Sequence, residues 1–111
     1  MGAIVNVCDK AGRSPLHLCS SEGHLAVVSF LIEEGSAEID KSKNDGRTPL
    51  FVAATEGRLD VVQYLVGAGA DMHFATSDGQ TPLSVAAANR HLEVMHYLME
   101  QVGFHYHYHY H

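Results

Sequence analysis

Histidine and cysteine are the residues of this chain best suited to metal binding or catalysis, but their spacing does not form a recognisable site. His91 and His96 lie five residues apart, whereas two metal ligands on one face of a helix are typically four apart. The motifs of serine hydrolases, phosphate-binding loops and zinc proteases do not occur in the sequence. The sequence therefore predicts a protein with no enzymatic activity, no cofactor and no metal site outside its last eight residues.

Those last eight residues, FHYHYHYH, alternate histidine with tyrosine and differ from everything before them. In an extended strand, one face would carry four histidines that could bind a metal adventitiously: His105, His107, His109 and His111. The alternative interpretation is an appended metal-affinity segment. The regular pattern described below stops at residue 103, which favours the appended segment, so residues 104–111 are set aside in predicting the fold.

Charge and hydropathy exclude several classes of partner. The chain has 111 residues and a formal net charge of -6 at pH 7, which argues against non-specific binding to nucleic acid. No apolar run approaches the roughly 18 residues of a membrane-spanning helix, and no secretory signal opens the chain. Two cysteines, Cys8 and Cys19, are too few for a disulfide framework. We therefore expect a cytoplasmic or nuclear protein that does not bind nucleic acid and does not insert into a membrane.

The positions of these residues depend on a motif that recurs along the chain. GRSPL, GRTPL and GQTPL begin at Gly12, Gly46 and Gly79, spaced 34 and then 33 residues apart. A period of this length is typical of stacked repeat units, which bury a core between neighbours and offer an extended surface to partners. The period divides the chain into units of about 9–42, 43–75 and 76–103, and residues 2–8 resemble the end of a preceding unit.

Each unit is predicted to contain two helices. A turn signal is followed by a hydroxyl residue and a proline, which together are a strong helix start. Small residues such as Ala53 and Ala54 let neighbouring first helices approach closely. Apolar residues then recur at intervals of three and four, as at Leu59, Val62 and Leu65, which indicates an amphipathic second helix.

Two departures from the repeat are informative. Gly23 and Gly57 are predicted to end the first helices in a left-handed conformation, but Arg90 stands at this position in the third unit. A left-handed arginine would cost about 1 kcal/mol. The first linker also holds one extra residue near Ser36 and Ala37, which we interpret as a bulged hairpin tip.

The motifs SPLH, TPLF and TPLS, with the helical segments EGHLAVVSFLIEEG and EGRLDVVQYLVGAGAD, resemble the ankyrin repeat family over roughly residues 2–103. The resemblance implies an all-α repeat solenoid of helix-turn-helix pairs joined by β-hairpins or loops. It also implies a non-catalytic module that binds a partner protein or peptide through the hairpin tips and the concave face of the first helices. Only His17 keeps the family's histidine after Pro-Leu, so its capping hydrogen bonds are expected to be lost at Phe51 and Ser84.

The partner-binding positions of the family can be carried over to this sequence residue by residue. They are Lys10, Ala11, Arg13, Ser21, Glu22, Asn44, Asp45, Arg47, Thr55, Glu56, Ser77, Asp78, Gln80, Ala88 and Asn89. Five of the seven basic residues lie in or beside the first two hairpins. Five of the acidic residues lie mainly on the second helices, on the opposite side: Glu33, Glu34, Asp60, Glu93 and Glu100. This distribution favours an acidic or carboxylate-bearing partner segment held by Arg13 and Arg47. The alternative is that these basic residues only keep the loops solvated.

Two further alternatives stay open at this point. The chain could be a regulatory or substrate-docking fragment of a larger enzyme or channel, because both ends of the repeat pattern look incomplete. Exposed apolar ends could also stack end to end, giving self-association. A shared fold does not transfer a specific partner.

Overall fold

The computed structural model describes the backbone of residues 7–110 and the side chains of residues 7–102. This part of the chain contains six α-helices in three pairs: α1 (Pro15–Glu22) and α2 (Leu25–Glu33), α3 (Pro49–Glu56) and α4 (Leu59–Gly67), and α5 (Pro82–Ala88) and α6 (Leu92–Tyr110). No strand occurs between residues 7 and 110, and turns and loops connect the helices. The predicted all-α repeat architecture is confirmed, with loops in place of regular β-hairpins.

Helices of the same kind stack on one another along the molecule. The first helices α1, α3 and α5 form one row and the second helices α2, α4 and α6 form another. Equivalent side chains line the core between the rows: Leu31, Leu65 and Leu98 are 8%, 0% and 0% exposed. The core is therefore shared between units, as expected for a stack of repeats.

Small residues allow the first helices to pack closely. Cys19, Ala53 and Ala86 occupy equivalent positions and are all buried. Burial raises the pKa of the Cys19 thiol to about 11, so the thiol stays protonated at neutral pH and behaves as a small apolar group.

Helix capping corrects one expectation from the sequence. At α1, the His17 ring nitrogen Nδ1 accepts a hydrogen bond from the Ser14 N–H at 3.1 Å. At α5, the Ser84 hydroxyl does the same for the Thr81 N–H at 2.8 Å. The expected loss of capping was therefore wrong at Ser84, because a hydroxyl is also an acceptor within reach. Phe51 has no acceptor, and α3 keeps only the bond from the Phe51 N–H to the side chain of its N-cap threonine.

The extra residue of the first linker lies at the end of a helix. The Ala37 N–H donates to the Leu31 carbonyl, and in the next unit the Ala70 N–H donates to the Leu65 carbonyl. The separations are six and five residues, so the insertion falls within the turn that ends α2. Ser36 adopts a left-handed φ of 57° there. The position near Ser36 is confirmed, but the interpretation as a hairpin tip was wrong.

The His/Tyr segment also differs from the extended arrangement considered above. The backbone of residues 104–110 continues α6 as a helix. An extended strand is therefore not the backbone conformation of residues 104–110. The side chains of this segment, and residue 111 altogether, lie outside the described residues.

The end of the first helix shows why glycine is replaced only in the third unit. Gly23, Gly57 and Arg90 all have a left-handed backbone, with φ of 81°, 75° and 62°. A Cβ at Gly23 would lie 2.9 Å from Arg58, and one at Gly57 would lie 2.6 Å from His91. Both neighbours belong to the following unit. Arg90 has no such neighbour in the described stack. The free-energy cost of an arginine at this position therefore comes only from its left-handed backbone conformation.

Replacing this arginine should therefore stabilise the protein. Arg90→Gly relieves the left-handed strain but enlarges the entropy of the unfolded chain, and we expect a net gain of about 0.5 to 1 kcal/mol in the free energy of unfolding. Urea denaturation measures this gain. Arg90→Ala is the matched control, because it removes the same side chain and keeps the strain. Equal stability of the two variants would contradict the explanation.

Candidate functional site

The turns that precede the first helices form one continuous edge. In each turn the N–H of the first residue donates to the carbonyl of the fifth at 2.7–3.0 Å: Asp9 to Arg13, Lys43 to Arg47, and Thr76 to Gln80. Successive turns are joined as well, because the N–H groups of Asn44 and Ser77 donate to the carbonyls of Ala11 and Asp45 in the preceding turn. These bonds fix the spacing of side chains along the edge.

Both arginines of this edge are held by an aspartate of their own turn. Arg13 Nε lies 2.7 Å from Asp9 Oδ2, and Arg47 Nε lies 3.2 Å from Asp45 Oδ2. The pKa of Asp9 is lowered, first by the hydrogen bond from the Arg13 backbone N–H. The Arg47 guanidinium also lies 5.8 Å from the centre of the Phe51 ring, within range of a cation–π contact. The arginines are therefore oriented before any partner arrives.

His17 connects the first unit to the turn of the second. Its side chain is buried, with 2% exposed. Because Nδ1 accepts from the Ser14 N–H, the proton of the neutral ring lies on Nε2, which donates to the Arg47 carbonyl at 2.9 Å. Burial is the main cause that lowers the pKa of His17. His17 is thus a structural residue, and it helps to position the backbone of Arg47.

A cleft between the first two units brings several of these residues together. It has a volume of about 170 Å³ and is lined by Arg13, His17, Leu18, Ser21, Lys43, Arg47, Val52, Thr55 and Glu56. We call it the basic cleft, because three cationic side chains and one carboxylate line it. Leu18 and Val52 supply an apolar surface, and Leu18 is 46% exposed.

The structure divides the residues carried over from the family into three groups. Five line the basic cleft: Arg13, Ser21, Arg47, Thr55 and Glu56. A second hollow, of about 220 Å³, lies between the second and third turns and is lined by Asp45, Arg47, Thr76, Ser77 and Asp78. The remaining residues line neither: Lys10, Ala11, Glu22, Asn44, Gln80, Ala88 and Asn89.

The second hollow is more acidic than the basic cleft. The Thr76 hydroxyl donates a hydrogen bond to the Asp78 carboxylate, and this bond is the main cause that lowers the pKa of Asp78. With Asp45 on its other side, the hollow carries two carboxylates for the single cation of Arg47. An anionic partner segment is therefore favoured in the basic cleft and disfavoured here.

Four residues of the basic cleft were missing from the sequence-based set, namely His17, Leu18, Lys43 and Val52. A signal for the apolar pair existed, since Leu18 and Val52 each lie three residues before a predicted contact residue, Ser21 or Thr55, on the same helical face.

Within residues 7–102, no cluster of three or more His, Cys, Asp or Glu side chains could hold a metal ion. None of the helices in the described part of the chain is long and apolar enough to cross a membrane.

The fold and this surface are those of a stacked helical-repeat protein. Comparison with known families identifies the repeat family. A family model described as "Ankyrin repeats (3 copies)" matches residues 1–76, and a second, described as "Ankyrin repeat", matches residues 78–107. The chain belongs to the ankyrin repeat family, whose repeats are generally non-catalytic protein–protein interaction modules. A comparison with curated proteins finds no match.

The buried histidine predicts a pH dependence of stability. Because the folded state lowers the pKa of His17 below its ordinary value of 6.5, the unfolded chain binds the proton more readily. The free energy of unfolding should therefore fall as the pH drops below about 6.5. His17→Gln removes this titration, so between pH 7.5 and 5.5 the wild type should lose more stability in urea denaturation than the variant. Identical pH dependence in both proteins would contradict the role given to His17.

Proposed function

We propose that this chain binds an acidic or carboxylate-bearing segment of a partner protein in the basic cleft. The observation that carries the proposal is the convergence of Arg13, Lys43 and Arg47 on one cleft with an apolar surface. Charge-assisted hydrogen bonds from arginine to carboxylate are among the stronger polar contacts in proteins. Leu18 and Val52 would contact an apolar residue of the same segment.

The ion pairs with Asp9 and Asp45 support this proposal. Each uses Nε, which is one of the five N–H donors of a guanidinium, and the two terminal amino groups carry the other four. Both arginine side chains are about half exposed, at 49% and 47%. An arginine that is already oriented loses less conformational entropy when a carboxylate binds.

The size of the basic cleft favours a peptide over a small metabolite. Its volume is about 170 Å³, whereas pockets for drug-sized ligands typically measure roughly 300 to 1,000 Å³. A cleft of this size suits one or two side chains of a segment that continues along the turns. The turns form a continuous hydrogen-bonded edge on which such a segment could lie.

We also propose a cytoplasmic or nuclear location. Cys8 and Cys19 are not joined by a disulfide, and this suits a reducing compartment.

Charge reversal in the basic cleft tests the proposal. The probe is a fluorescein-labelled peptide of alternating glutamate and leucine, and fluorescence anisotropy measures its affinity. Arg13→Glu/Arg47→Glu should weaken binding at least about tenfold, because charge-assisted hydrogen bonds are replaced by repulsion.

Lys41→Glu/Arg90→Glu is the matched control, because it changes the net charge by the same amount and neither residue lines the basic cleft. This control should retain most of the wild-type affinity. Equal loss in both double variants would show that only the overall charge matters, and an unchanged affinity of Arg13→Glu/Arg47→Glu would remove the cleft from consideration.

A further inference from the structure

A groove on the other row of helices has a different chemistry. It lies between α4 and α6 and is lined by Leu59, Gln63, Leu92, Glu93, His96, Tyr97 and Glu100. Its volume is about 370 Å³, against about 170 Å³ for the basic cleft. We call it the second-helix groove. It shares no residue with the basic cleft, so it is independent of the function proposed above.

The equivalent interface one unit earlier is bridged by a hydrogen bond. The Tyr64 hydroxyl of α4 donates to Glu33 Oε2 of α2 at 2.5 Å. Tyr97 occupies the position of Tyr64 in the third unit, 33 residues later. The residue 34 positions after Glu33 is Gly67, which has no side chain to accept such a bond.

Gly67 therefore leaves open the gap that Glu33 bridges in the first interface. It lies one helical turn beyond Gln63 and two beyond Leu59 on the same face of α4. A Cβ placed on Gly67 would meet no atom within 4 Å. Gly67 is exposed and does not itself line the groove, whereas Tyr97 does. The Tyr97 hydroxyl can both donate and accept a hydrogen bond.

Both apolar and acidic side chains line the second-helix groove. Leu92 is 61% exposed, whereas Leu25 and Leu59 at equivalent positions are half-buried. α6 is the last helix of the described stack, so no following unit covers Leu92. Glu93 and Glu100 are seven residues apart and lie on the same face of α6. Glu100 Oε2 lies 3.3 Å from His96 Nε2, and no lysine or arginine lines the groove.

We propose that the second-helix groove binds a basic amphipathic helix of a partner protein. Leucine-like side chains at helical spacing would contact Leu59 and Leu92, as in other helix-in-groove complexes. Lysine or arginine on the flanks of that helix would pair with Glu93 and Glu100. The charge of the groove selects against an acidic segment, so the two surfaces of this chain bind partners of opposite charge.

The probe for this proposal is a fluorescein-labelled 14-residue peptide of leucine and lysine, with the leucines at helical spacing. Fluorescence anisotropy against the full chain should give saturable binding. Leu92→Ser should weaken it at least about tenfold, because the variant loses a buried apolar contact in the complex. Met99→Ser is the matched control, because Met99 lies on the same helix, is 51% exposed and does not line the groove.

The acidic side chains are tested in the same assay. Glu93→Gln/Glu100→Gln should weaken binding about tenfold, whereas Glu34→Gln/Glu38→Gln, with the same change of net charge, should leave it within about twofold. Wild-type protein that does not bind the peptide would overturn the proposal, as would an equal loss in each variant and its control.

Substitution of Gly67 distinguishes binding in the second-helix groove from non-specific attraction of the basic peptide to an acidic protein. Gly67→Glu restores the acceptor that bridges the first interface, so its carboxylate should bond to Tyr97 across the groove and weaken binding several-fold. General attraction predicts the opposite, because the variant carries one more negative charge. Gly67→Ala is the control and should bind as the wild type does. Tighter binding by Gly67→Glu would overturn the proposal.

Discussion

Every feature of this protein depends on the stacking of its units, because no unit can bury its apolar residues alone. The middle unit shows this most clearly: Leu50 and Phe51 of α3 are at most 2% exposed, and they are covered because α1 and α5 pack on either side. Apolar burial is the dominant favourable term in folding. The surfaces available to partners are consequently the two outer sides of the stack.

Hydrogen bonds between units fix the position of each unit relative to the preceding one. Arg58 Nε donates to the Ser21 carbonyl at 2.9 Å, and His91 Nε2 lies 2.8 Å from the Thr55 carbonyl. Ser21 and Thr55 lie in the last turns of α1 and α3, which end at Glu22 and Glu56. Both contacts therefore satisfy backbone carbonyls that a helix end leaves without partners. Since the same bond is made twice with different side chains, its geometry is a property of the stack and not of one residue pair.

The sequence was sufficient for the helices but not for the contacts between units. The motif that places a hydroxyl before Pro15, Pro49 or Pro82 is local, and α1, α3 and α5 all begin at these prolines. The bond between Tyr64 and Glu33 joins residues 31 positions apart. Its absence at Tyr97 becomes apparent only when the two interfaces are compared.

The candidate site shows the same division between local and distant contacts. Arg13 and Arg47 were found from the period, because equivalent positions in a repeat must lie on one edge. Lys43 could not be assigned to the basic cleft in this way, because its place there depends on how the second turn packs against α1. The inserted residue near Ser36 was located by the period, but only the backbone bonds showed that it lies in the turn that ends α2.

The central claim is that stacking gives this chain two separate surfaces of opposite charge preference, one on the first helices and turns and one on the second helices. A map of amide chemical-shift changes by two-dimensional ¹⁵N–¹H NMR tests it most directly, with the glutamate–leucine and lysine–leucine peptides added in turn. The account predicts two sets of shifted amides, one around residues 13–21 and 43–56 and the other around residues 59–67 and 92–100. A single set shifted by both peptides, or shifts spread evenly over the molecule, would contradict it.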